Sequence, residues 1–224
     1  MSLRVVSLVP SVTETLLAWG IRPVACTRFC EQPDLPHVGG TKDPDLAAIT
    51  DLAPDLVVVD EEENRRGDHD ALVGAGLAVH VLAVRDLAGL DHEMTGLAEA
   101  VGATWEPLDP TGEPASERRA WVPIWKRPWM ALGEPTYGSA VLRALGIANV
   151  AAAEGAYPEM DPDTARAAGA ELVVAPSEPY PFAERHRAEL EGAAGDVRFV
   201  DGRDLLWWGT RTRQALLRLA DQLG

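Results

Sequence analysis

Cysteine is almost missing from this sequence. Cys26 and Cys30 are the only two in 224 residues, too few for a disulfide framework. Their spacing around Arg28 and Phe29 leaves the redox compartment open. Positive charge is also short, with 20 Lys and Arg against 35 Asp and Glu and a net charge of -15. Such a surface repels polyphosphate and argues against nucleic acid or an anionic membrane as partner. No run approaches the roughly 18–20 apolar residues that cross a bilayer. Met1 to Val9 reads as a strand with one Arg and lacks the basic, apolar and small-residue segments of a secretory leader. Location is therefore expected to be cytoplasmic if the chain is complete as given. It is periplasmic or otherwise extracytoplasmic and membrane-associated if a leader was removed.

Motifs of covalent chemistry are missing too. There is no G-x-S-x-G elbow, P-loop, dinucleotide fingerprint or H-E-x-x-H. His37, His69, His80, His92 and His186 are scattered. The nearest approach to a metal set is Cys26, Cys30, Glu31 and His37, but Cys-x3-Cys without a second pair is a poor zinc signal. A hydrophobic share of 46% and a charged share of 25% are those of an ordinary globular chain. A chain of this length can bury roughly 70% of its unfolded surface.

Strand and helix alternate along the chain. Arg4 to Val9 is a β-branched run that passes through Pro10 and Ser11 into a helix ending at Gly20, with Ser11 or Thr13 as its expected cap. Val24 to Cys26 is a short strand before a Pro- and Gly-rich loop, Arg28 to Thr41. Helical spacing over Asp45–Leu52 precedes a buried strand, Leu56–Val59, whose outer end is closed by Asp60 to Asn64. A helix over Asp70–Leu77, a strand over Val79–Val84 and a helix over Leu87–Val101 follow. Regular structure is expected to lapse over Gly102–Ser116, where Pro and Gly gather. Alternation then restarts, with strands near Trp121–Trp125, Trp129–Leu132, Asn149, Leu172–Ala175 and Val197–Val200. Helices are expected over Ser139–Leu145, Ala165–Ala168, Glu184–Leu190 and Thr212–Leu223.

The fold class that results is α/β, with two Rossmann-like lobes of mainly parallel sheet. The lobes are residues 1–86 and 117–224, with a helix and linker over 87–116. A faint repeat supports the pairing: Asp43-Pro44-Asp45-Leu46 leads into Leu56-Val57-Val58, as Asp161-Pro162-Asp163-Thr164 leads into Leu172-Val173-Val174. Ligands of open α/β sheets lie outside the carboxyl ends of strands, so two facing lobes imply a cleft. Six of the seven tryptophans follow residue 104, and Trp125, Trp129, Trp207 and Trp208 fall in loops or strand ends. An indole there offers a rigid face to a planar ligand, or else fills a core. Two adjacent strand residues point to opposite sides, so one of Trp207 and Trp208 is expected to face outward. The run Glu61-Glu62-Glu63 reads as a solvated face, with a docking patch as its rival.

Val5-Val6-Ser7-Leu8-Val9-Pro10-Ser11-Val12-Thr13-Glu14, Pro23-Val24-Ala25, Gly39-Gly40, Pro54-Asp55-Leu56-Val57 and Trp207-Trp208-Gly209-Thr210-Arg211 stand in an order that resembles one family. It is that of the substrate-binding proteins of ABC importers for cobalamin, ferric siderophores and haem, the cobalamin-binding branch in particular. The resemblance covers most of the chain and implies two α/β lobes joined by one helix, a monomer, and delivery to a membrane permease without chemistry or cofactor. The ligand-facing positions it implies are Pro10, Ser11, Phe29, Lys42, Asp60, Trp125, Trp129, Glu178, Tyr180, Trp207, Trp208 and Arg211. Lys42 and Asp60 stand where cobalamin binders tend to present aromatic faces, which favours a charged or smaller metal chelate. Leu87–Val101, about four turns, falls short of the five or six turns, roughly 30 Å, of the family's connecting helix. The family docks through a carboxylate at each lobe tip. An ungapped count puts the first near Arg66, with Glu61, Glu62 or Glu63 as substitutes and Glu184 in the second lobe. Two other readings keep the fold: a cytoplasmic corrinoid or metal-chelate carrier, and an enzyme using Glu178, Arg211 and Tyr137.

Overall fold

The structure, a computed structural model, describes residues 3–108 and 118–224. Most of the expected irregular stretch, at 109–116, lies outside the described residues, as does 117. Among the described residues no helix is long and apolar enough to cross a membrane. The chain divides into two compact units, one of Met1–Val84, Gly89–Pro107 and Trp208–Thr210, the other of Arg85–Ala88, Leu108–Trp207 and Arg211–Gly224.

The first unit is built on β1 (Val5–Ser7), β2 (Ala25–Cys26), β3 (Leu56–Asp60) and β4 (Val79–Leu82), in the order β2-β1-β3-β4 and parallel throughout. Val6 lies opposite both Ala25 and Val57. β1 is buried throughout and β3 from Val57 onward, as suits strands inside a parallel sheet. Val6, Leu8, Ile49, Val57, Val59 and Leu72 form one buried cluster of this unit. Its helices are α1 (Pro10–Ala18), α2 (Leu46–Asp51), α3 (Arg66–Gly74) and α4 (Leu87–Val101). In α4 the buried residues Leu90, Met94, Leu97, Ala98 and Val101 recur at helical spacing, while His92 and Glu99 are exposed.

The second unit repeats the design with β5 (Arg119–Trp121), β8 (Ala148–Asn149), β9 (Leu172–Pro176) and β10 (Asp196–Val200), all parallel in the order β10-β9-β5-β8. A hairpin, β6 (Pro123–Trp125) and β7 (Met130–Ala131), stands apart from that sheet. The helices are α5 (Tyr137–Ala144), α6 (Pro162–Ala167), α7 (Arg187–Leu190), α8 (Gly202–Leu206) and α9 (Thr212–Leu223). Trp121, Met160, Phe182, Leu190 and Val197 belong to its core.

The expected α/β class with parallel sheets holds, and local departures have local causes. Neither Ser11 nor Thr13 caps α1: the helix starts at Pro10, whose fixed φ suits the first helical position, and Val9 is an N-cap without a side-chain bond. Thr13 instead donates its hydroxyl to the Val9 carbonyl at 3.2 Å. α3 begins at Arg66, four residues before the expected Asp70. The segment expected as one helix over Glu184–Leu190 is a 3-10 turn, Glu184–His186, followed by α7. Both copies of the repeat form a capped helix ahead of a buried strand, but the cap is Asp45 in the first and Asp161 in the second. Asp45 accepts from Ala48 N at 3.0 Å and Asp161 from Thr164 N at 2.8 Å. Trp207 and Trp208 lie after α8 rather than in a strand; Trp207 is half-buried and Trp208 buried.

Candidate binding rims

Parallel strands send every connection at their carboxyl ends to one edge, so each unit has a single rim. In the first unit that rim holds the β1–α1 turn, the loop after β2 and the turn after β3. Pro10 and Ser11 are buried there in the first turn of α1. Asn64 ties the parts together: its amide donates to the carbonyls of Leu8 at 3.3 Å and Thr41 at 2.9 Å, and its Oδ1 accepts from Asp60 N at 2.8 Å.

Asp60 is 4% exposed, and its Oδ1 accepts from Glu62 N at 2.8 Å and Glu63 N at 3.1 Å. Burial pushes its carboxyl up to about 6, against the pull of those two backbone bonds. Lys42 is exposed but donates its ammonium to the Glu62 carbonyl, so it braces the same turn. Phe29 is 50% exposed, with the Arg28 guanidinium 4.7 Å from its ring centroid and bound to Asp43 at 2.9 Å. This loop folds back tightly at Gly39, where φ is +85° and an added Cβ would sit 2.4 Å from the Asp43 carbonyl oxygen.

Trp208 groups with the first unit. The next residue, Gly209, has φ +115°, and a Cβ there would lie 2.1 Å from Thr15 Oγ1. Thr210 N donates to that same hydroxyl at 3.2 Å. Gly209→Ala is therefore expected to destabilise the protein by about 2 kcal/mol, combining backbone strain with displacement of Thr15. Chemical denaturation of the two proteins checks this, and equal midpoints would contradict it.

In the second unit the hairpin, the loop after β9 and α8 form the rim. Trp125 is 46% exposed and meets Tyr180 edge-on, centroids 5.7 Å apart. Tyr180 contacts Phe182 at 4.7 Å, Phe182 stacks on Trp129 at 6.0 Å with an interplanar angle of 7°, and Trp129 reaches Trp121 at 5.6 Å. One aromatic series thus runs from an exposed indole to a fully buried one. Trp129 lies on its inner part, with Lys126 Nζ 5.7 Å from the ring centroid and 2.7 Å from Glu189 Oε1. The Lys126 bond holds the Glu189 carboxyl below its usual range. His186 is buried against Tyr180 and Phe182. Its Nδ1 accepts from Ala183 N at 3.2 Å. Burial, then the charges of Arg185 and Lys126, push its pKa down.

Glu178 and Trp207 are half-buried at this rim, and Gly202 N donates to Ser177 Oγ at 2.9 Å, joining the β9 and β10 ends. The Arg211 guanidinium lies 5.6 Å from the Trp207 centroid and 3.5 Å from Asp204 Oδ1. Asp204 takes a two-pronged bond from Arg218 at 2.6 and 2.7 Å. Tyr137, a member of the enzyme reading, is buried, with its hydroxyl 2.9 Å from Thr212 Oγ1 and its phenol raised by burial.

The sites expected from sequence thus divide by unit. Pro10, Ser11, Phe29, Lys42 and Asp60 share the first rim; Trp125, Trp129, Glu178, Tyr180, Trp207 and Arg211 share the second. Among the docking candidates, Glu61, Glu62 and Glu63 are exposed in the turn after β3. Glu184 is exposed too, but is held by Arg187 at 2.6 and 2.7 Å, which lowers its carboxyl. Arg66 stands 3.9 Å from Asp70 at the start of α3. Asn64 and Asp204 organise the two rims without having been singled out. A D-L-L-W-W run ahead of an Arg-rich helix was the available hint for Asp204. Among the described residues no group of three or more His, Cys, Asp or Glu could hold a metal ion.

No protein-family model matches the chain, and no curated protein sequence matches it. Solved structures do. The periplasmic haem-binding protein HutB of Vibrio cholerae superposes with a TM-score of 0.81 at 18% identity, over 99% of this chain and 98% of that one. The periplasmic vitamin B12-binding protein BtuF of Vibrio cholerae gives 0.80 at 17%, over 98% and 96%. The periplasmic haem-binding protein RhuT from Roseiflexus sp. RS-1 gives 0.79 at 20%, over 99% and 98%. The chain has the fold of these periplasmic binding proteins along its whole length.

Proposed function

We propose that this chain is the substrate-binding component of an ABC importer, that it acts outside the cytoplasm, and that it carries a metal chelate without changing it. Cobalamin, haem and a ferric siderophore are the cargo classes, and the strand-end rim of each unit offers candidate cargo contacts. The observation that carries the reading is the fold shared with vitamin B12- and haem-binding proteins together with rims of exposed aromatic and cationic side chains. Phe29 and Trp125 offer faces to a flat macrocycle. Arg28 and Lys42 supply exposed cations suited to the carboxylates that haem and many ferric chelates bear. The exposed Glu61–Glu63 turn of the first unit and the exposed Glu184 of the second are the docking candidates toward the permease.

Calorimetric titration with cobalamin, haemin and ferric siderophores is expected to give saturable heat with at least one. Trp125→Ala is expected to weaken that cargo about tenfold, the equivalent of about 1.4 kcal/mol. The visible spectrum of freshly purified protein gives the same answer by eye, since all three classes absorb. Heat with none of them would overturn the proposal.

A further inference from the structure

The two cysteines take no part in the rims' proposed work, yet they are not arranged as inert filler. Cys26 ends β2 and is fully buried; Cys30 is 3% exposed, and the two pack together with Leu35. The turn between them is closed by Cys30 N donating to Thr27 O at 3.1 Å. The hydroxyls of Thr13, from α1, and Thr27 each lie 3.2 Å from Cys30 Sγ, the single Thr13 proton being shared between that sulfur and the Val9 carbonyl. Two hydroxyl groups thus flank one sulfur, an arrangement that suits a thiolate and singles out Cys30 as the reactive member. Among the described residues no third metal-ligating side chain completes a set around the pair.

We propose that Cys26 and Cys30 are a peroxide-sensitive dithiol, oxidised reversibly to a disulfide that refastens the loop carrying Phe29. The neighbouring Cys26 thiol, and the two threonine hydroxyls, pull the Cys30 pKa down against the opposing effect of burial, while Cys26 is raised. The Cys30 thiolate attacks one oxygen of hydrogen peroxide, the O–O bond breaks, and hydroxide leaves with a Cys30 sulfenic acid remaining. The Cys26 sulfur then attacks the sulfenic sulfur. Its proton and the departing hydroxide form water, so two thiols and one peroxide give one disulfide and two waters. Sulfur is oxidised and peroxide oxygen reduced. The oxidant is barely larger than water, as two buried sulfurs require. Closing the S–S bond turns the strong thiolate acceptor beside Thr13 and Thr27 into a weak disulfide sulfur, and so alters how the loop is held to α1.

The test uses the full chain, reduced, desalted and exposed to hydrogen peroxide at neutral pH. Expected is a fall from two titratable thiols to none, an intact mass lower by two hydrogens, a cross-linked Cys26–Cys30 peptide, and recovery with dithiothreitol. Cys26→Ser is expected to stop at a Cys30 sulfenic acid trapped by a cyclic diketone. Cys30→Ser is expected to react at least about tenfold more slowly. Hydrogen exchange over residues 27–41 is expected to change on oxidation. Addition of oxygen mass without loss of two hydrogens would overturn the proposal. So would a wild-type rate no faster than that of the urea-unfolded chain, or a metal retained by the reduced protein. If the serine variants fail to fold, the wild-type mass and rate decide alone. None of these readouts depends on which cargo the protein carries.

Discussion

Replacing Asp204 by alanine is expected to lower stability by about 3 kcal/mol, a fall in Tm of roughly 6–12 °C. The carboxylate is only 5% exposed as a side chain and is shared by Arg218, through two short bonds, and Arg211. Removing it leaves two guanidinium groups around a methyl group. Arg211, 14% exposed, bears most of the penalty, whereas Arg218, 48% exposed, keeps much of its hydration. The bond from Arg218 holds the Asp204 carboxyl below its ordinary range. A lowered carboxyl stabilises the fold above its unfolded pKa near about 4, and that contribution disappears as pH falls through the lower folded value. Urea unfolding at pH 7 and pH 3 is therefore expected to separate the two proteins more widely at the first pH than at the second. A difference within about 0.5 kcal/mol at pH 7 would mean that the cluster is ornamental.

Asp60→Asn is expected to act in the opposite direction. The folded carboxyl is raised from 3.8 to about 6 by burial. Its stabilising contribution is then complete below about pH 4 and is lost as pH rises through about 6, leaving a buried charge that costs about 3 kcal/mol at pH 8. Asparagine keeps an Oδ1 acceptor for Glu62 N and Glu63 N while removing that charge. A gain of about 2 kcal/mol at pH 8 is expected, with the wild-type decline between pH 4 and 7 flattened. Thermal melts across that range provide the measurement. A destabilised variant at pH 8 would show that the two backbone bonds need the ionised form.

Elements with a long period or a continuous apolar run were legible in the sequence. α4 and α9 occupy the expected Leu87–Val101 and Thr212–Leu223, and β3 and β9 follow from Leu56-Val57-Val58-Val59 and Leu172-Val173-Val174-Ala175. α8 escaped because five residues make barely more than one turn, too few for a periodic signal. At Pro10 a fixed φ outweighed the capping chemistry of its neighbours. The aromatic positions of the rims were visible as residue types on loops. What they pack against was not: Trp129 and Trp125 are four positions apart, yet one stacks on a core phenyl ring while the other is half in water. Asn64 was invisible for a related reason, since its task is to join the carbonyls of Leu8 and Thr41, which are remote from it in sequence.

The outermost strand of the second sheet, β10, has one hydrogen-bonding side without a neighbour in that sheet. Asp196 at its start is gripped by Arg198 at 2.7 Å and Arg118 at 2.6 Å. A strand from a second molecule adding there would have to dehydrate an anchored ionic triad before gaining a single ladder bond. Fibrous self-association through this margin is thereby discouraged.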